Sequence, residues 1–430
     1  MGNKLSTQQK KTIRKNPELI EDLVAQPVFL FEFQTGLKQL QAVFPSRFRF
    51  NFRNLIRAMP ITLAHVNRNL LTAKGRLCTM LVQRLLSMNR QLVGRDLLKI
   101  ACSILMRLRM GIKKKEANCV ATLEGHSKYV YSVAFHPTTS LLATGSWDKT
   151  VKLWRLSSDN TSATCVATLK GHSESVFSVA FHPTAPVLAT GSYDNTANLW
   201  RLSSDNTSEN MFTLSGHRKC VSSVAFHGTA PLLATGSWDK TVKLWLLSSD
   251  NTSATCVATL EGHSDSVYSV AFHPTAPVLA TGSQDNTVKL WRLSSDNTSA
   301  TCVATLKGHI ECVKSIAFHP TAPLLLTGSE DGSAKLWRLS SNNSSATCVA
   351  TLKGHNFSVN SVAFNFTGSL LATGSSDNTV KLWRLSSDNS SATCVATLKG
   401  HIECVSSVAF HPTAPLLLTG SEDRTAKLWR

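Results

Sequence analysis

From residue 119 onward, apolar and polar positions alternate in runs of five or six residues, and each run ends on turn-forming residues. Val130-Tyr131-Ser132-Val133-Ala134-Phe135, Leu141-Leu142-Ala143-Thr144, Thr150-Val151-Lys152-Leu153-Trp154 and Cys165-Val166-Ala167-Thr168-Leu169 are rich in β-branched and aromatic side chains, the pattern of half-buried strands. His136-Pro137-Thr138, Trp147-Asp148-Lys149 and the stretch Ser157 to Ser162 separate them. Four strands joined this tightly predict one antiparallel sheet. The pattern then returns: Gly-His pairs begin at Gly125, Gly171, Gly216, Gly262, Gly308, Gly354 and Gly400, a step of 46 residues with one of 45. A period of this size means stacked supersecondary units. One small sheet cannot hide both faces, whereas seven set radially bury each against its neighbours and leave only short edges. The prediction is an all-β, seven-bladed propeller of four-stranded antiparallel blades over residues 119–430.

Closure follows from the two ends of the array. The chain stops at Trp429-Arg430 after a third strand, and the missing fourth, Cys119-Val120-Ala121-Thr122-Leu123, precedes the first Gly-His pair. Residues 119–123 are therefore expected to complete the last blade by pairing with Lys427 to Trp429.

A Gly-His pair, an Asp in a tight turn and a Trp ending the next strand resemble the WD-repeat (β-transducin-like) family across residues 119–430. The resemblance implies a buried tetrad of Thr, His, Asp and Trp in each blade. The first two are Thr144, His126, Asp148, Trp154 and Thr190, His172, Asp194, Trp200, and the series continues unbroken to Thr419, His401, Asp423 and Trp429. One position departs from the family: the strand-ending Trp is followed by Arg155, Arg201, Leu246, Arg292, Arg338, Arg384 and Arg430 instead of Asp.

Thr, His and Asp within reach of one another have the makings of a nucleophile, base and orienting acid. An active site is built once, however, and this trio occurs in every repeat with a Trp completing it, which points to structure. No unrepeated polar constellation stands out, so neither enzyme activity nor a small-molecule substrate or cofactor is expected. His136, His182, His227, His273, His319 and His411 recur one per blade without a second ligand at zinc spacing, and read as turn residues. The chain has eleven cysteines, and those at equivalent places in different blades are expected to be too far apart to bridge. Free thiols indicate a reducing compartment. The Asn160-Thr161-Ser162 sequon and its copies at Asn206, Asn251, Asn297, Asn343 and Asn389 match the glycosylation motif, yet no secretory signal precedes them, and they read as turns. The expected location is cytoplasmic, with a peripheral membrane association open.

Specificity must lie where the copies differ. The changes cluster before the tetrad Asp and at the third and fifth residues after the Gly-His histidine. By resemblance these positions lie on the narrower face, around the central channel, where partners of the family dock. Blade one offers Tyr129, Tyr131 and Trp147; blade two Ser175, Phe177 and Tyr193; blade three Cys220, Ser222 and Trp238; blade four Ser266, Tyr268 and Gln284. Blades five to seven offer Cys312, Lys314 and Glu330; Ser358, Asn360 and Ser376; Cys404, Ser406 and Glu422. One sector is aromatic and the other polar with two acids. Tyr and Trp are enriched in interface hot spots, and their uneven placement favours a site over mere rim packing. A peptide or helix with apolar anchors and a basic end suits both sectors.

Charge separates the chain into two parts. Lys and Arg outnumber Asp and Glu by 22 to 6 in residues 1–118 and by 23 to 21 beyond, so the net charge of +18 belongs almost wholly to the first part. Residues 1–112 are expected to be mainly helical, because Leu77, Leu81, Leu85, Met88 and Leu92 share one face and Leu97, Ile100, Ile104, Leu105 and Leu108 another. No stretch there is long and apolar enough to span a bilayer. Residues 113–118 read as a linker. The segment has three candidate roles: a solvated helical domain; nucleic-acid binding, through Arg47, Arg49, Arg53 and Arg57 interleaved with Phe48, Phe50 and Phe52; or a membrane surface. For the last, Met1-Gly2-Asn3-Lys4-Leu5-Ser6 fits the myristoylation pattern, with Gly2 as acceptor and Lys4, Lys10, Lys11, Arg14 and Lys15 as the second signal one acyl chain requires.

Three functions are consistent with this sequence. The first is a non-catalytic interaction scaffold that binds a protein or peptide on the aromatic face. The second is an RNA-associated or ribonucleoprotein component that uses the basic segment. The third is a reader of basic or methylated tails, with Tyr129, Tyr131, Trp147 and Tyr193 as a cation–π cage.

Overall fold

The computed structural model describes residues 118–203 and 208–430; the expected helices of residues 1–112, the linker as far as residue 117 and Gly2 lie outside the described residues. The described residues form twenty-eight strands in seven four-stranded antiparallel sheets. Blade one runs from its inner strand Val130–Phe135 through Leu141–Ser146 and Thr150–Leu156 to the outer strand Ala163–Lys170. Its register sets Val133 against Thr144, Leu142 against Trp154 and Leu153 against Ala167. The inner strand matches its apolar run, and the other three outrun theirs by Gly145-Ser146, by Arg155-Leu156, and by Ala163-Thr164 with Lys170.

Turn chemistry fits the sequons and the tight turns. Asn160, Asn251, Asn297, Asn343 and Asn389 all have φ between 54° and 59°, a left-handed conformation that Asn tolerates.

The last blade is completed from the other end of the chain. Cys119–Leu123 pairs antiparallel with Ala426–Trp429, placing Cys119 opposite Trp429, Thr122 opposite Lys427 and Leu123 opposite Ala426. Asn118 and Arg430 exchange two backbone hydrogen bonds of 3.0 Å, so pairing already includes the final residue of the expected linker. Leu123 is buried in one apolar cluster with Val130, Leu142, Trp154, Leu418 and Leu428, which joins blade seven to blade one.

Neighbouring blades are fastened by three repeated devices. The first is steric. A Cβ on Gly145 would stand 2.9 Å from Val176 and Val179 of the next blade, and one on Gly420 would stand 2.9 Å from Val130 and Val133. Only a residue without a side chain lets the sheets approach this closely. The second is a belt of serines around the channel. Val179, Val224, Val270, Ile316, Val362 and Val408 each donate their N–H to the Oγ of a serine on the preceding blade, and Val133 donates to Ser407, closing the circle at 3.0–3.2 Å.

The third device occupies the opposite face. Nδ1 of His136 accepts the backbone N–H groups of Thr138 and Thr139, and the ring packs edge-on against Phe181 of blade two at 5.0 Å. His182, His227, His273, His319 and His411 repeat the turn contact. The Arg that replaces the family Asp also has a role here: Arg338 Nη2 donates to the carbonyls of Asp388 and Asn389 in the next blade at 2.8 and 3.2 Å, and Arg292 holds Asn342 in the same way.

Candidate functional site

Each tetrad forms one directed chain of hydrogen bonds. In blade four, Trp291 Nε1 donates to Thr281 Oγ1 at 2.9 Å, because an indole N–H can only donate. A carboxylate can only accept, so His263 donates from Nδ1 to Asp285 at 2.7 Å, which leaves Nε2 to accept the Thr281 hydroxyl at 2.7 Å. Asp285 also accepts Ser264 N–H, Thr287 N–H and the Thr287 hydroxyl. The same bonds join Thr144, His126, Asp148 and Trp154, and Thr190, His172, Asp194 and Trp200. Burial opposes ionisation of Asp194, but the bonds from His172 and Thr196 outweigh it and hold the carboxyl down at about 2. Thr144, Thr190 and Thr281 are 0% exposed, so the one hydroxyl that resembles a nucleophile meets no solvent or substrate.

The tetrad ties the loop before the inner strand to the second and third strands of its blade. Asp285→Ala leaves four donors in a half-buried place without an acceptor, and should lower stability by about 3 kcal/mol in urea unfolding of the full chain. A loss under about 0.5 kcal/mol would show the network to be dispensable.

The variable positions converge at the start of the inner strands, at the same end as the tetrad loops. Each inner strand carries a register shift, in blade one between Val130 and Ser132, so Tyr131 is the extra residue of a bulge. Phe177, Ser222, Tyr268, Lys314, Asn360 and Ser406 occupy the same place in the other blades. A bulge re-aims its side chain, and here that gathers the fifth-position residues.

The result is a ribbon of seven rings over blades one to four. Tyr129 lies 4.9 Å from Trp147 and 6.3 Å from Tyr131, Tyr131 stacks on Phe177 at 4.6 Å and 11°, and Phe177 meets Trp238 edge-on at 5.6 Å. Tyr193 meets Trp238 at 5.6 Å, and Tyr268 ends the ribbon 5.9 Å from Trp238. The ribbon contains all four tyrosines of the chain and, of its nine tryptophans, both that stand outside the tetrads. Trp147 is 41% and Tyr193 50% exposed, while the rings between them are half-buried against each other. Self-packed rings are already ordered, so a partner loses little side-chain entropy in docking on them.

The sector predicted to be polar is not wholly so. Glu330 is bound to Lys314 at 2.6 Å, and Gln284 accepts the Tyr268 hydroxyl at 3.4 Å. Just outside these groups Ile310, Phe357 and Ile402 are 77%, 63% and 77% exposed. They sit one or two places after the Gly-His histidine, where blades one to four carry Ser127, Lys128, Ser173, Glu174, Arg218, Lys219, Ser264 and Asp265. Comparing those two positions between blades would have found them. The rim over blades five to seven is thus apolar, interspersed with Glu311 and Glu403.

Among the described residues no group of three or more His, Cys, Asp or Glu is placed to hold a metal ion, and no disulfide links the nine described cysteines.

Comparison with known proteins agrees with this geometry. The family of the WD domain, G-beta repeat matches at residues 117–155, 163–201, 208–245, 254–292, 300–338, 346–384 and 392–430, one segment per blade. A ribosome biogenesis protein WDR12 homolog of Nematostella vectensis is 40% identical over 47 residues, 11% of either chain. Its counterpart in Drosophila virilis is 37% identical over 57 residues, 13% of this chain and 14% of the relative. These stretches are about one repeat long, so the chain spans only a small part of the relatives it matches. Seven matched segments, each closing its own tetrad, establish that the chain belongs to the WD40 (WD domain, G-beta repeat) family.

Proposed function

We propose that this protein is a non-catalytic interaction scaffold whose propeller docks a protein or peptide on the aromatic end of the channel. The observation that carries the reading is the ribbon itself: every tyrosine and every tryptophan outside the tetrads gathers at one end of the ring, with Trp147 and Tyr193 turned outward. Large aromatic side chains supply most of the binding energy at interfaces. The exposed Ile310, Phe357 and Ile402 extend the surface across blades five to seven, and Glu311, Glu403 and Glu422 favour a partner with apolar anchors and basic side chains.

Affinity capture tests this with three baits: the full chain, the full chain carrying Trp147→Ala and Trp238→Ala, and the full chain carrying Thr184→Ala in the opposite-end turn. Partners recovered by the first and third and lost from the second support the reading. Equal recovery by all three rejects it.

A second reading has its own observations. Relatives matched over one repeat are ribosome biogenesis proteins, and residues 1–118 carry 22 Lys and Arg against 6 Asp and Glu. An RNA-associated role predicts that the full chain binds RNA with an affinity falling steeply with salt, and that Trp147→Ala leaves this binding unchanged. A flat salt dependence would reject it.

A further inference from the structure

Blades five and seven differ at one telling position on this face. Gly308 to Val313 and Gly400 to Val405 are identical, as are Ser329-Glu330-Asp331 and Ser421-Glu422-Asp423, but Ser406 stands where blade five has Lys314. In blade five the lysine completes a small cation site. Its Nζ lies 2.6 Å from Glu330 Oε1 and 4.1 Å from the ring centre of Tyr268 on blade four. A cation held between a carboxylate and an aromatic face gains from both. Burial works against the charge of Lys314, yet the bond to Glu330 more than offsets it and raises the ammonium above its usual range.

Blade seven keeps the acid without the lysine. Glu422 is half-buried, burial raises its carboxyl above the usual range, and among the described residues no Lys, Arg or His forms an ion pair with it. Ser406 Oγ is buried with no hydrogen-bond partner. A buried hydroxyl in that condition is poised for a donor or acceptor brought from outside. Blade one supplies the aromatic wall: its inner strand lies beside that of blade seven, where Val133 N–H donates to Ser407 Oγ at 3.2 Å, and the Tyr131 ring on that strand is fixed by its stack on Phe177.

We infer that the channel mouth between blades seven and one receives a lysine side chain of the docking partner, its ammonium held by the Glu422 carboxylate beside the Tyr131 ring and near Ser406 Oγ. The inference rests on the docking face proposed above and names the chemistry of its anchor. Blade five shows the same acid with a lysine already in place, there against a ring of the preceding blade, where the blade before blade seven has Asn360.

The chain has four tyrosines, all on this face, so 3-fluorotyrosine labelling gives a 19F spectrum with four reporters, each assignable by a Tyr→Phe variant. Titration of the full chain with Nα-acetyl-lysine methylamide should displace the Tyr131 resonance saturably and leave Tyr268, already covered by Lys314, in place. Nα-acetyl-norleucine methylamide, its uncharged analogue, should do neither. Ser406→Lys gives blade seven the lysine of blade five, and Glu422→Gln removes the charge; each should weaken the titration about tenfold or more. Four dispersed resonances report that each variant is folded.

The inference is overturned if the uncharged analogue titrates equally, if Tyr131 does not respond, or if folded Ser406→Lys and Glu422→Gln chains respond like the parent. Such a failure is separate from failure of the docking face. Partner capture that survives both substitutions but is lost with Trp147→Ala and Trp238→Ala rejects the lysine site alone.

Discussion

Deleting Cys119–Leu123 from the full chain should abolish its cooperative unfolding transition. Among the described residues this is the only outer strand far in sequence from the strand it pairs with, and it holds the first blade to the last. Its loss removes Leu123 from the cluster that contains Val130, Trp154 and Leu428, and strips the edge of Ala426–Trp429 of its backbone partners. Emptying one buried Leu position costs about 2–5 kcal/mol, and the lost pairing adds to that, against a net stability of about 5–15 kcal/mol for a typical domain. The sequence Cys-Val-Ala-Thr-Leu recurs unchanged at residues 165–169, 256–260, 302–306, 348–352 and 394–398. Rescue is therefore designable: a copy of residues 385–399 fused after Arg430 supplies the same strand as a hairpin. It should restore a cooperative transition while leaving the two ends unlatched and the chain less stable than the parent. A deletion variant that unfolds like the parent would show that the closing strand does not hold the ring.

The second large effect is on acidification. Burial lowers the pKa of His136, His182, His227, His273, His319 and His411 from the ordinary 6.5, and each accepts backbone N–H groups at Nδ1, which requires the neutral ring. The unfolded chain takes up these protons as pH falls below about 6.5, while the folded chain refuses them until its lower values are reached. Stability is thus complete above 6.5 and is lost as pH falls through that window. Each such proton contributes about 1.4 kcal/mol per pH unit, and repetition multiplies the effect. The tetrad aspartates add a second loss: their pKa values lie below the ordinary 3.8, so the stability they contribute is present above 3.8 and declines under it. Blade six supplies the control, since Asn365 replaces the histidine there and its Oδ1 accepts Leu370 N–H. Urea unfolding at pH 7 to 5 should show a steep fall in stability, made shallower by His136→Asn with His273→Asn. A profile that is flat from pH 7 to 5 would contradict the assignment of neutral buried rings.

What the sequence made legible was whatever repeats. Strands, turns and tetrads recur at one spacing, so Thr144, His126, Asp148 and Trp154 could be paired before any coordinates, and the outer strand lacking after Trp429 pointed to Cys119–Leu123. Contacts between blades were not legible. The serine belt joins residues 46 or 47 apart around the ring and 274 apart at its closure, and Ser132 reads in the sequence as an ordinary polar strand position. The arginine that follows the Trp in six of the seven blades looked like a departure from the family, because the carbonyls that Arg292 and Arg338 hold belong to the next blade. The aromatic rings could be picked out one by one, but not as one ribbon: the bulges that re-aim Tyr131, Phe177 and Tyr268 leave no mark in composition or period. Ile310, Phe357 and Ile402 stand out only when the two positions after each Gly-His histidine are compared across the blades.

Docking on the aromatic end of the channel is tested most directly by photo-crosslinking from chosen positions of the full chain. A benzoylphenylalanine at Tyr193, which is 50% exposed on the ribbon, is compared with one at Thr184, exposed in the turn at the opposite end of the same inner strand. Illumination in cell extract should give discrete protein adducts from position 193 that unlabelled full chain competes away, and none from position 184. Adducts from position 184 alone, or the same adducts from both, would contradict it.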